Sequence, residues 1–596
     1  MYTLGINAAF YDSAACLVCD GDVIAAAEEE RFTRIKHAKR PVPFSAWELP
    51  FNAIDYCLAS AGITLADVEH VAYSFDPHLM LGRPQGDTLT LPMEASAAFP
   101  VGKDDPEQLV DRWSNPWEAL FYSYVLNAPR QLSGGAPHHL RTRFRGAAVG
   151  ETFQWHFVEH HLCHEASAFL AAPFIEGDDH TAVMTLDGRG ERATATLAVW
   201  REGNLMRLHQ VDYPHSLGLL YEDLTRYLGF LHASDEYKVM ALASYGKPRY
   251  RDFFHDLLVL DGHGGFRITD PQPEVLLVRR FGTARERGEP LEQKHFDLAA
   301  SLQAVLEHIA LSLASWLRNK SGESRLCMAG GVALNCMMNA KIRDSGLFDQ
   351  VWVQPAAGDA GTALGAALWV DYRQRMGPRR WQMDHAYLGP SYADEDIEPL
   401  LAWAQLPYRK VADIADETAA LLAQDKIVGW FQDRMEFGPR ALGARSILAS
   451  PLNAAMQGRL NELKEQEDFR PMAPVVAEEA VGEWFVTGGE HPQPAGPAPF
   501  KLFAFTVAAD KATRIPAAIH VDGTARVQTV SARWNLRYHQ LLRAFAKRTG
   551  VPVLINTSFN GRGEPIVCTP RDAIAAFYSM PLDALAIGSY LLEKHP

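Results

Sequence analysis

The stretches LCMAGGVALNCMMNAKI (326–342) and VWVQPAAGDAGTALGAA (351–367) indicate the fold class of this chain. Each begins with a short apolar run of the length of a buried strand, passes through a glycine-rich junction, and continues into a helical pattern. Strands that alternate with helices in this way are typical of α/β proteins. We therefore predict an α/β fold around these two stretches.

The same alternation is found on both sides of this region. Toward the N-terminus, Asp20-Gly21 predicts a hairpin turn, and strands are predicted over 3–8, 14–19, 23–27, 155–158, 181–186 and 194–200. Helices are predicted over 160–171, 217–231, 297–318 and 333–344. Beyond a polar linker at 373–384, a second α/β segment has its clearest strands at 427–431 and 551–555.

The composition is that of a globular protein with several domains. The chain has 596 residues, of which 47% are hydrophobic and 22% charged, and an average domain has roughly 100–200 residues. With 57 Lys and Arg against 72 Asp and Glu, the formal net charge is −15. Because binding to a phosphate backbone requires a surplus of basic residues, we do not expect nucleic acid as a partner.

The sequence shows no feature of a secreted or membrane protein. No apolar run approaches the roughly 18 residues of a transmembrane helix, and the opening MYTLGINAAFYDSAAC lacks the basic segment of a signal peptide. The 7 cysteines are sparse and contain no repeated Cys-x-x-Cys pair, so neither a disulfide framework nor a cysteine zinc site is expected. These features predict a cytoplasmic protein.

The sharpest candidate site is the segment VEHHLCH (158–164). His160 and His164 are four residues apart, which on a helix places both imidazoles on one face, at a spacing that suits one metal ion. Asp187 at a strand end and Asp359 in a glycine-rich loop are the candidate carboxylates, and this donor set suits Fe²⁺, Mn²⁺ or Zn²⁺. The alternative, in which the histidines are hydrogen-bonded core residues, fits the spacing equally well.

Glycines mark two junctions between a strand and a helix, Gly330-Gly331 and 358–361. Backbone N–H groups at such junctions bind phosphates, so a nucleotide could lie there. No Gly-x-x-x-x-Gly-Lys-Ser/Thr loop is evident, and a P-loop is not expected. Tight packing of helix against strand would explain the same glycines.

Basic residues cluster in the second α/β segment, beginning with RMEFGPRALGARS (434–446). The members are Arg434, Arg440, Arg445, Lys464, Arg470 and Arg526, followed by NTSFN (556–560). Guanidinium groups pair bidentately with phosphate oxygens, and hydroxyl and amide groups complete such a site. Surface ion pairs with Glu436, Glu465 and Glu467 are the alternative. In a chain with a net charge of −15, the cluster favours an anion site.

At these motifs the chain resembles the O-carbamoyltransferases of nodulation and antibiotic biosynthesis. The matching stretches are EEERFTRIKH (28–37), VEHHLCHEASAF (158–169), LDGRGE (186–191), PHSLGLLYEDLTRYLGF (214–230), EYKVMALASYG (236–246), AGGVALNCMMNAKI (329–342), FGPRALGARSILASP (437–451), HVDGTARVQTV (520–530) and GVPVLINTSFNGRGEPIVCTP (550–570). So many motifs in one order make the resemblance specific, and they cover nearly the whole chain apart from about 76–150 and a Pro-rich loop.

The resemblance implies two modules. Residues 1–372 would form an actin-like (ASKHA) domain similar to the metal-bearing proteins of tRNA threonylcarbamoylation. Residues 385–596 would form a YrdC-like α/β domain similar to the carbamoyl-adenylate-forming partner in that pathway. The second module would make carbamoyl adenylate from carbamoyl phosphate and ATP, and the first would pass the carbamoyl group to a substrate hydroxyl near a divalent metal, usually iron.

The resemblance also implies roles for individual residues. His160, His164, Asp187 and Asp359 match the metal positions, with Fe²⁺ expected and Mn²⁺ or Zn²⁺ as alternatives. The residues expected to bind carbamoyl phosphate and ATP with Mg²⁺ are Lys238, Gly330, Gly331, Asn335, Arg440, Arg445, Lys464, Arg526, Asn556 and Ser558. Lys36 matches a lysine implicated in transfer.

One position departs from the family pattern. The family usually has His-Asp-Ser in the opening hairpin, where this chain has Tyr11-Asp12-Ser13. If that histidine is the base for the acceptor hydroxyl, its role would fall here to Tyr11, to Asp12 or to the phosphate of the adenylate. Tyrosine has an ordinary pKa of about 10 and is a poor base at neutral pH without help.

The predicted function is ATP-dependent carbamoyl transfer to a hydroxyl of a natural product such as an antibiotic. Recognition of this small-molecule acceptor is expected in 76–150 and neighbouring loops, and the protein is expected to be a monomer or homodimer. Two alternatives stay open. A threonylcarbamoyl-type tRNA-modifying enzyme is disfavoured by the net charge, and a non-catalytic nucleotide-binding regulator is disfavoured by the arginine cluster with Asn556 and Ser558.

Overall fold

The computed structural model describes residues 1–38, 49–82, 118–134, 153–174, 180–270, 272–489 and 491–594. The chain forms two compact units, each assembled from separate segments. Unit 1 comprises Met1–Leu170, Gly190–Arg192 and Asp359–Trp381, and unit 2 comprises Ala171–Arg189, Ala193–Gly358 and Gln382–Pro596. The division into functional modules at 1–372 and 385–596 stays a prediction.

Unit 1 is built on one mixed sheet. Its elements are β1 (Tyr2–Asn7), β2 (Ala14–Cys19), β3 (Asp22–Glu28), α1 (Glu30–Thr33), α2 (Phe51–Ala61), β4 (His70–Tyr73), α3 (Pro77–Met80), α4 (Glu118–Gly134), β5 (Gln154–Phe157), α5 (His160–Phe169) and α12 (Ala360–Arg375). The strand order is β3-β2-β1-β4-β5. Strands β1 to β3 are antiparallel neighbours, whereas β4 runs parallel to β1 and β5 runs parallel to β4.

The start of this sheet follows from local sequence. Leu4 and Ile6 on β1, and Leu17 on β2, point into one buried core, as the two-residue period of a strand requires. Asp20 and Gly21 have φ values of 49° and 93°. Positive φ at both central residues gives the two-residue turn whose twist matches that of the strands. The predicted hairpin is confirmed.

The first part of unit 2 contains a second five-stranded sheet. Its elements are β6 (Thr181–Leu186), β7 (Ala193–Arg201), β8 (Asn204–Asp212), α6 (Leu217–Tyr227), α7 (Glu236–Ala243), α8 (Arg251–Leu257), β9 (Leu258–Leu260), β10 (Phe266–Ile268), α9 (Pro273–Phe281), α10 (Gln293–Ser321), β11 (Arg325–Ala329), α11 (Cys336–Asp344) and β12 (Gln350–Val353). The strand order is β12-β11-β6-β7-β8, with β9 and β10 as a separate pair.

The two five-stranded sheets share one topology. In each, three consecutive strands form an antiparallel meander, and two later strands continue the sheet in parallel beyond the first strand of the meander. The sequence shows no strong internal repeat. The same topology can be built from unrelated apolar side chains, so a shared strand order does not require a sequence repeat. The repeat is therefore visible only in the strand order.

The second part of unit 2 begins at residue 382 and has a larger mixed sheet. Its elements are α13 (Asp394–Trp403), β13 (Arg409–Lys410), α14 (Ile414–Leu422), β14 (Val428–Phe431), β15 (Arg445–Ala449), α15 (Met456–Leu463), β16 (Pro474–Ala477), α16 (Val481–Trp484), β17 (Phe485–Val486), β18 (Ala504–Val507), β19 (Thr524–Arg526), β20 (Gln528–Val530), α17 (Leu536–Thr549), β21 (Val553–Ser558), α18 (Pro570–Ser579), β22 (Ala584–Ile587) and β23 (Tyr590–Glu593). The eight-stranded order is β13-β23-β22-β14-β15-β21-β16-β20, and β17-β18-β19 form a small sheet.

Helices cover both faces of the eight-stranded sheet. On β14, Val428 and Trp430 face a core shared with α14 and α17, whereas Phe431 faces a core shared with α13, α15 and α18. Alternate residues of one strand therefore enter different cores. This explains why β14 reads as a continuous apolar run, as strands buried on both faces do.

One helix among the described residues, α10, is long and apolar enough to cross a membrane. It has 29 residues, and 67% of its most apolar window is buried inside the structure. Leu302, Leu306 and Leu313 are among its buried side chains. Because a core helix of a globular protein has the same length and composition, α10 is only a weak indication of a membrane span.

The α/β prediction is confirmed, and most predicted elements are found with ends shifted by a few residues. The helix predicted over 333–344 begins at Cys336, because the side chain of Asn335 accepts the N–H of Met338 as an N-cap. The predicted linker begins after Arg375, where α12 ends. The segment 76–150, predicted to be an insertion, lies mostly outside the described residues.

Candidate active site

Two histidines lie side by side in unit 1. Helix α5 begins at His160, so His160 and His164 are one turn apart on the same face. Both side chains are fully buried, and their Nε2 atoms are 3.2 Å apart. Nδ1 of His160 lies 3.4 Å from the carbonyl oxygen of Ser74, a contact that fixes the orientation of the ring.

The carboxylate of Asp359 lies beside this pair. Its Oδ1 atom is 3.6 Å from Nε2 of His160 and 3.8 Å from Nε2 of His164. Helix α12, which follows Asp359, approaches α5 closely because residue 365 is glycine. A Cβ atom on Gly365 would lie 1.8 Å from the carbonyl oxygen of Cys163. The glycine-rich stretch thus places Asp359 at the histidines.

Glu191 supports the start of α5 and was not predicted from the sequence. Its carboxylate accepts the N–H of His160 at 3.0 Å, which satisfies a backbone donor at the N-terminus of α5. It also accepts the N–H of Asp76, the residue before α3, at 2.7 Å. Burial raises the pKa of Glu191 to about 7, although the charge of His160 and the hydrogen bond from the N–H of Asp76 oppose this rise. Glu191 ends the stretch LDGRGE (186–191), just after a strand, and this position is the sequence signal from which it could have been predicted.

The three side chains fit a divalent metal ion. Two imidazole Nε2 atoms and one carboxylate oxygen converge in the interior, with no pair more than 3.8 Å apart. A buried carboxylate needs a cation or hydrogen bonds as compensation. Two histidines and one carboxylate are the donor set typical of non-haem iron sites, and manganese and zinc also bind such groups.

Asp187, the fourth predicted ligand, belongs to unit 2. It follows β6, and its Oδ1 atom accepts the N–H of Gly331 at 2.7 Å. Gly330 permits this junction because its φ is 91° and a Cβ atom there would lie 2.2 Å from the carbonyl oxygen of Leu186. Asp187 and the two predicted glycines therefore meet at one strand–helix junction, and the role of Asp187 as a ligand stays a prediction.

A second candidate site is a group of basic side chains in unit 2. Burial, together with the positive charges of Arg526 and Arg470, lowers the pKa of Arg440 to about 9, although Cys336 and Tyr237 oppose this. Nε of Arg440 is buried and has no hydrogen-bond acceptor in the part of the chain that the structure describes. The guanidinium of Arg470 lies over the ring of Tyr237, 4.7 Å from its centre. Like charges gathered in this way are suited to an anion.

Lys501 belongs to the same group and was not predicted from the sequence. Its ammonium group is buried and donates to the carbonyl oxygens of Ala441 and Asn556, each at 2.9 Å. Burial and the charges of Arg526 and Arg440 lower the pKa of Lys501 well below its usual value, although Glu436 opposes this. The signal in the sequence is a single charge inside the apolar run PFKLFAF (499–505).

The structure brings Lys464 and the NTSFN segment together. Nζ of Lys464 donates to the carbonyl oxygen of Ser558 and to Oδ1 of Asn560, both at 2.7 Å. The hydroxyl of Ser558 donates to the same Oδ1 atom at 2.6 Å. Asn556 donates to Oε1 of Gln528 at 2.7 Å. The predicted lysine, hydroxyl and amides therefore form connected contacts in unit 2.

Arg445 is held by the protein itself. It is fully buried, and its guanidinium donates to the carbonyl oxygens of Gln432 at 2.6 Å and Pro390 at 3.0 Å. Its central carbon lies 3.8 Å from the centre of the Phe431 ring. These contacts favour a structural role, and the assignment of Arg445 to substrate binding stays a prediction.

Lys238 and Asn335 also have partners within unit 2. Nζ of Lys238 lies 3.0 Å from a carboxylate oxygen of Glu467 and 3.1 Å from one of Asp235. Asn335 caps α11, as described above, and its amide group donates to Gln303 at 2.9 Å. A role for either residue in nucleotide binding stays a prediction.

The predicted catalytic residues lie in unit 1. The backbone N–H of Tyr11 donates to Oδ2 of Asp359 at 3.0 Å. Oδ1 of Asp12 is 2.6 Å from Nδ1 of His37, the last residue of EEERFTRIKH, which was not selected from the sequence. Lys36 lies in the same short helical turn, Lys36–Ala38.

Comparison with known proteins identifies the family. The model of the carbamoyltransferase N-terminus matches residues 2–79 and 147–368, and that of the carbamoyltransferase C-terminus matches 419–594. An uncharacterized protein of Synechocystis is 39% identical over 629 aligned residues, which cover 100% of this chain and 97% of the relative. Nodulation protein NolNO of Sinorhizobium fredii is 39% identical, with 99% and 80% covered. Nodulation protein NolO of Bradyrhizobium diazoefficiens is 41% identical, with 74% and 79% covered.

Solved structures are more distant. Component A of the (R)-2-hydroxyglutaryl-CoA dehydratase of Acidaminococcus fermentans is 14% identical with a TM-score of 0.30, covering 63% of this chain and 100% of that chain. HypF of T. kodakarensis is 12% identical with a TM-score of 0.30, covering 63% and 48%. Because these scores are low, the identification rests on the two family models and the sequence relatives. The chain belongs to the carbamoyltransferase family and is a transferase enzyme.

Proposed function

We propose that the protein is an ATP-dependent O-carbamoyltransferase. It would form carbamoyl adenylate from carbamoyl phosphate and ATP with Mg²⁺, and would transfer the carbamoyl group to a hydroxyl of a small natural product such as an antibiotic. A cytoplasmic monomer or homodimer that binds no nucleic acid is part of the proposal.

The observation that carries this proposal is the group of uncompensated cations in unit 2. Arg440 and Arg526 form no ion pair with a carboxylate among the residues for which the structure gives contacts. Arg440 and Arg526 are only partly exposed, and burial is the main cause of the lowered pKa of both arginines. Such a group is unfavourable by itself and is stabilised by a phosphate-bearing ligand.

The site chemistry agrees with formation of an adenylate. Carbamoyl phosphate and ATP bring several negative charges together, and this repulsion must be offset before they react. The guanidinium groups of Arg440, Arg526 and Arg470 supply fixed positive charge for that purpose. Overall, carbamoyl phosphate, ATP and one water give carbamoyl adenylate, phosphate and pyrophosphate.

The strand order supports the actin-like interpretation of the first module. The meander followed by two parallel strands occurs twice, once in unit 1 and once in the first part of unit 2, as expected of a fold with two similar halves. The YrdC-like interpretation of the second module is supported by the matching stretches 437–451, 520–530 and 550–570.

The proposed metal ligands are His160, His164 and Asp359, with Asp187 as a fourth. A divalent ion, iron by preference, would supply a Lewis acid toward the carbamoyl group or a nucleotide phosphate. The protein orients the histidines through Ser74 and Glu191, and the ring of Phe10 packs edge-on against His160 with the ring centres 5.2 Å apart. These contacts keep the ligand atoms in place and exclude water.

Isotope exchange between pyrophosphate and ATP tests the proposal. The wild-type enzyme should catalyse this exchange only when carbamoyl phosphate is present. Arg440→Met and Arg526→Met should each lower the exchange rate by about 100-fold or more, because each removes a charge that stabilises the phosphates. Arg543→Met is the matched control, since Arg543 is 63% exposed and pairs with Glu479 at the surface.

Two outcomes would contradict the proposal. Exchange that proceeds equally well without carbamoyl phosphate would exclude a carbamoyl adenylate. Unchanged exchange in both arginine variants would exclude this group as the phosphate site. Mass spectrometry for the gain of one carbamoyl group, across a panel of decarbamoylated antibiotics, would identify the acceptor class.

A further inference from the structure

A histidine–aspartate pair in unit 1 joins Asp12, a predicted catalytic residue, to His37, which was not selected from the sequence. Nδ1 of His37 and Oδ1 of Asp12 are 2.6 Å apart. The two side chains are 23% and 34% exposed, so the pair is only partly buried. An imidazole with a carboxylate on Nδ1 is held in one tautomer and presents Nε2 for proton transfer.

The backbone around this pair is held in an uncommon conformation. Asp12 and His37 have φ values of 47° and 60°, a region that residues other than glycine adopt at some energetic cost. The N–H of His37 donates to Oε2 of Glu30 at 2.6 Å. Glu30 in turn pairs with the buried Arg31 at 2.6 Å. These contacts hold the backbone of His37, while the contact with Asp12 orients its imidazole.

Hydrogen bonds connect the loop of Asp12 to Asp359, which lies beside the histidines of α5. Nδ2 of Asn7 donates to the carbonyl oxygens of Tyr11 and Asp12, at 2.7 Å and 3.2 Å. The N–H of Tyr11 donates to the carboxylate of Asp359 at 3.0 Å, and Asp359 lies beside His160 and His164. The loop that carries Asp12 is therefore anchored at the proposed transfer site.

We propose that His37 is the general base of carbamoyl transfer and that Asp12 is its positioning residue, an inference that rests on the proposed function. Nε2 of His37 takes the proton of the acceptor hydroxyl while the acceptor oxygen forms a bond to the carbamoyl carbon. The bond between that carbon and the adenylate oxygen breaks, and AMP leaves with the electron pair. The imidazolium then returns its proton to water.

The other residues considered for this role are less suited to it. Tyr11 would need an ordinary phenol pKa of about 10 to fall far before it could act at neutral pH. The carboxylate of Asp12 is already used by His37.

The pair is also distinguished from a metal site. The oxygens of Glu30 accept the N–H of His37 and bind Arg31, so this carboxylate is already occupied. Burial and the charge of Lys36 lower the pKa of His37. The charge and hydrogen bond of Asp12, with the charge of Glu30, outweigh them, so that the pKa is raised overall. Neutral His37, the active form, should therefore require a higher pH than an ordinary histidine does.

Two half-reactions measured on the full enzyme test the proposal. His37→Asn and His37→Gln should retain carbamoyl phosphate-dependent pyrophosphate exchange, yet should lose transfer by about 100-fold or more. Transfer is measured as AMP release and as formation of glyceryl carbamate, with glycerol at high concentration as the alcohol probe. If the wild type does not carbamoylate glycerol, the readout is the AMP released when water attacks the carbamoyl adenylate instead. Added imidazole should partly restore transfer.

The pH profile and the metal content separate a base from a structural residue. Asp12→Asn should slow transfer and move the rising limb of its pH profile to lower pH, because the negative charge beside His37 is lost. Iron content should equal that of the wild type in all three variants. His539→Asn is the matched control, since it removes a histidine–carboxylate contact to Glu479 at 3.0 Å in unit 2.

Any of three results would overturn the role of His37. The His37 variants could transfer at the wild-type rate, the rising limb of the pH profile could stay in place in Asp12→Asn, or any of these variants could lose its iron. Absence of exchange in the wild-type enzyme would instead contradict the proposed function itself. The two failures are thus distinguishable.

Discussion

Lys501 shows how one buried charge can make an anion site sensitive to pH. Its ammonium group lies with Arg440 and Arg526 and donates to two carbonyl oxygens. Burial and these charges lower its pKa, so Lys501 holds its proton less tightly in the free protein than an exposed lysine does. A phosphate-bearing ligand adds negative charge, which raises the pKa again and favours uptake of a proton.

We therefore predict that binding of carbamoyl phosphate takes up a proton. At a pH between the pKa values of Lys501 in the free and bound protein, binding should take up nearly one proton per molecule. The affinity for carbamoyl phosphate should then fall as pH rises. Isothermal titration calorimetry in buffers of different ionisation enthalpy measures the uptake. Lys501→Met should abolish it, whereas Lys426→Met, which changes a side chain that is 47% exposed, should not. Equal uptake in wild type and Lys501→Met would contradict the prediction.

Arg445 is expected to matter for stability. Its guanidinium binds backbone carbonyl oxygens from separate loops and lies over Phe431, and a lysine cannot reproduce this planar arrangement. Arg445→Lys should lower the free energy of unfolding by about 2 kcal/mol or more. Urea unfolding followed by fluorescence measures the change. A variant of wild-type stability that has lost pyrophosphate exchange would show that Arg445 is a substrate ligand instead.

Among the elements, the contact between α5 and α12 determines the position of Asp359. A Cβ atom on Gly365 would meet the backbone of Cys163, and backbone cannot move aside as a side chain can. We predict that Gly365→Ala lowers the free energy of unfolding by about 1–3 kcal/mol and reduces bound iron, because the two helices must separate. Thermal unfolding and metal analysis check both effects.

Gly458 provides the matched control for this substitution. It lies within α15, is exposed, and a Cβ atom there would have no neighbour within 4 Å. Gly458→Ala should leave iron unchanged and raise stability by about 0.5–1 kcal/mol, since alanine is the better helix former. If Gly365→Ala behaved like this control, the close packing of α5 and α12 would not be what places Asp359.

Elements could be predicted from the sequence because their signals are local. The opening hairpin depends on apolar alternation and on Asp20-Gly21, and β6 coincides with the predicted 181–186. Helix ends were less predictable. The helix predicted over 217–231 stops at Tyr227, and Gly229, with a φ of 73°, follows in the left-handed conformation. Such endings depend on where the next segment packs.

At the scale of the whole molecule, the two candidate sites belong to different compact units. His160, His164 and Asp359 are in unit 1, whereas Arg440 and Arg526 are in unit 2. We predict that removing the metal with a chelator, followed by restoring Mg²⁺, abolishes carbamoyl transfer and leaves pyrophosphate exchange intact. His160→Ala should do the same and lower the iron content.

Arg526→Met provides the converse result. It should lose exchange and keep its iron, because its side chain belongs to unit 2. Exchange assays and metal analysis on the same preparations check the pattern. If metal removal abolished exchange even with Mg²⁺ present, the metal would be needed for adenylation, and the assignment of one half-reaction to each site would be wrong.

The sequence by itself determined the α/β class, most strands and helices, the carbamoyltransferase family and the pair His160 and His164, because periodicity, glycine positions and ordered motifs are read along the chain. Only the tertiary structure decided that Lys501 joins the arginines and that His37 meets Asp12. His37 and Asp12 are 25 residues apart in the chain, and Lys501 and the arginines come from separate segments, so no local pattern specifies contacts that folding alone creates.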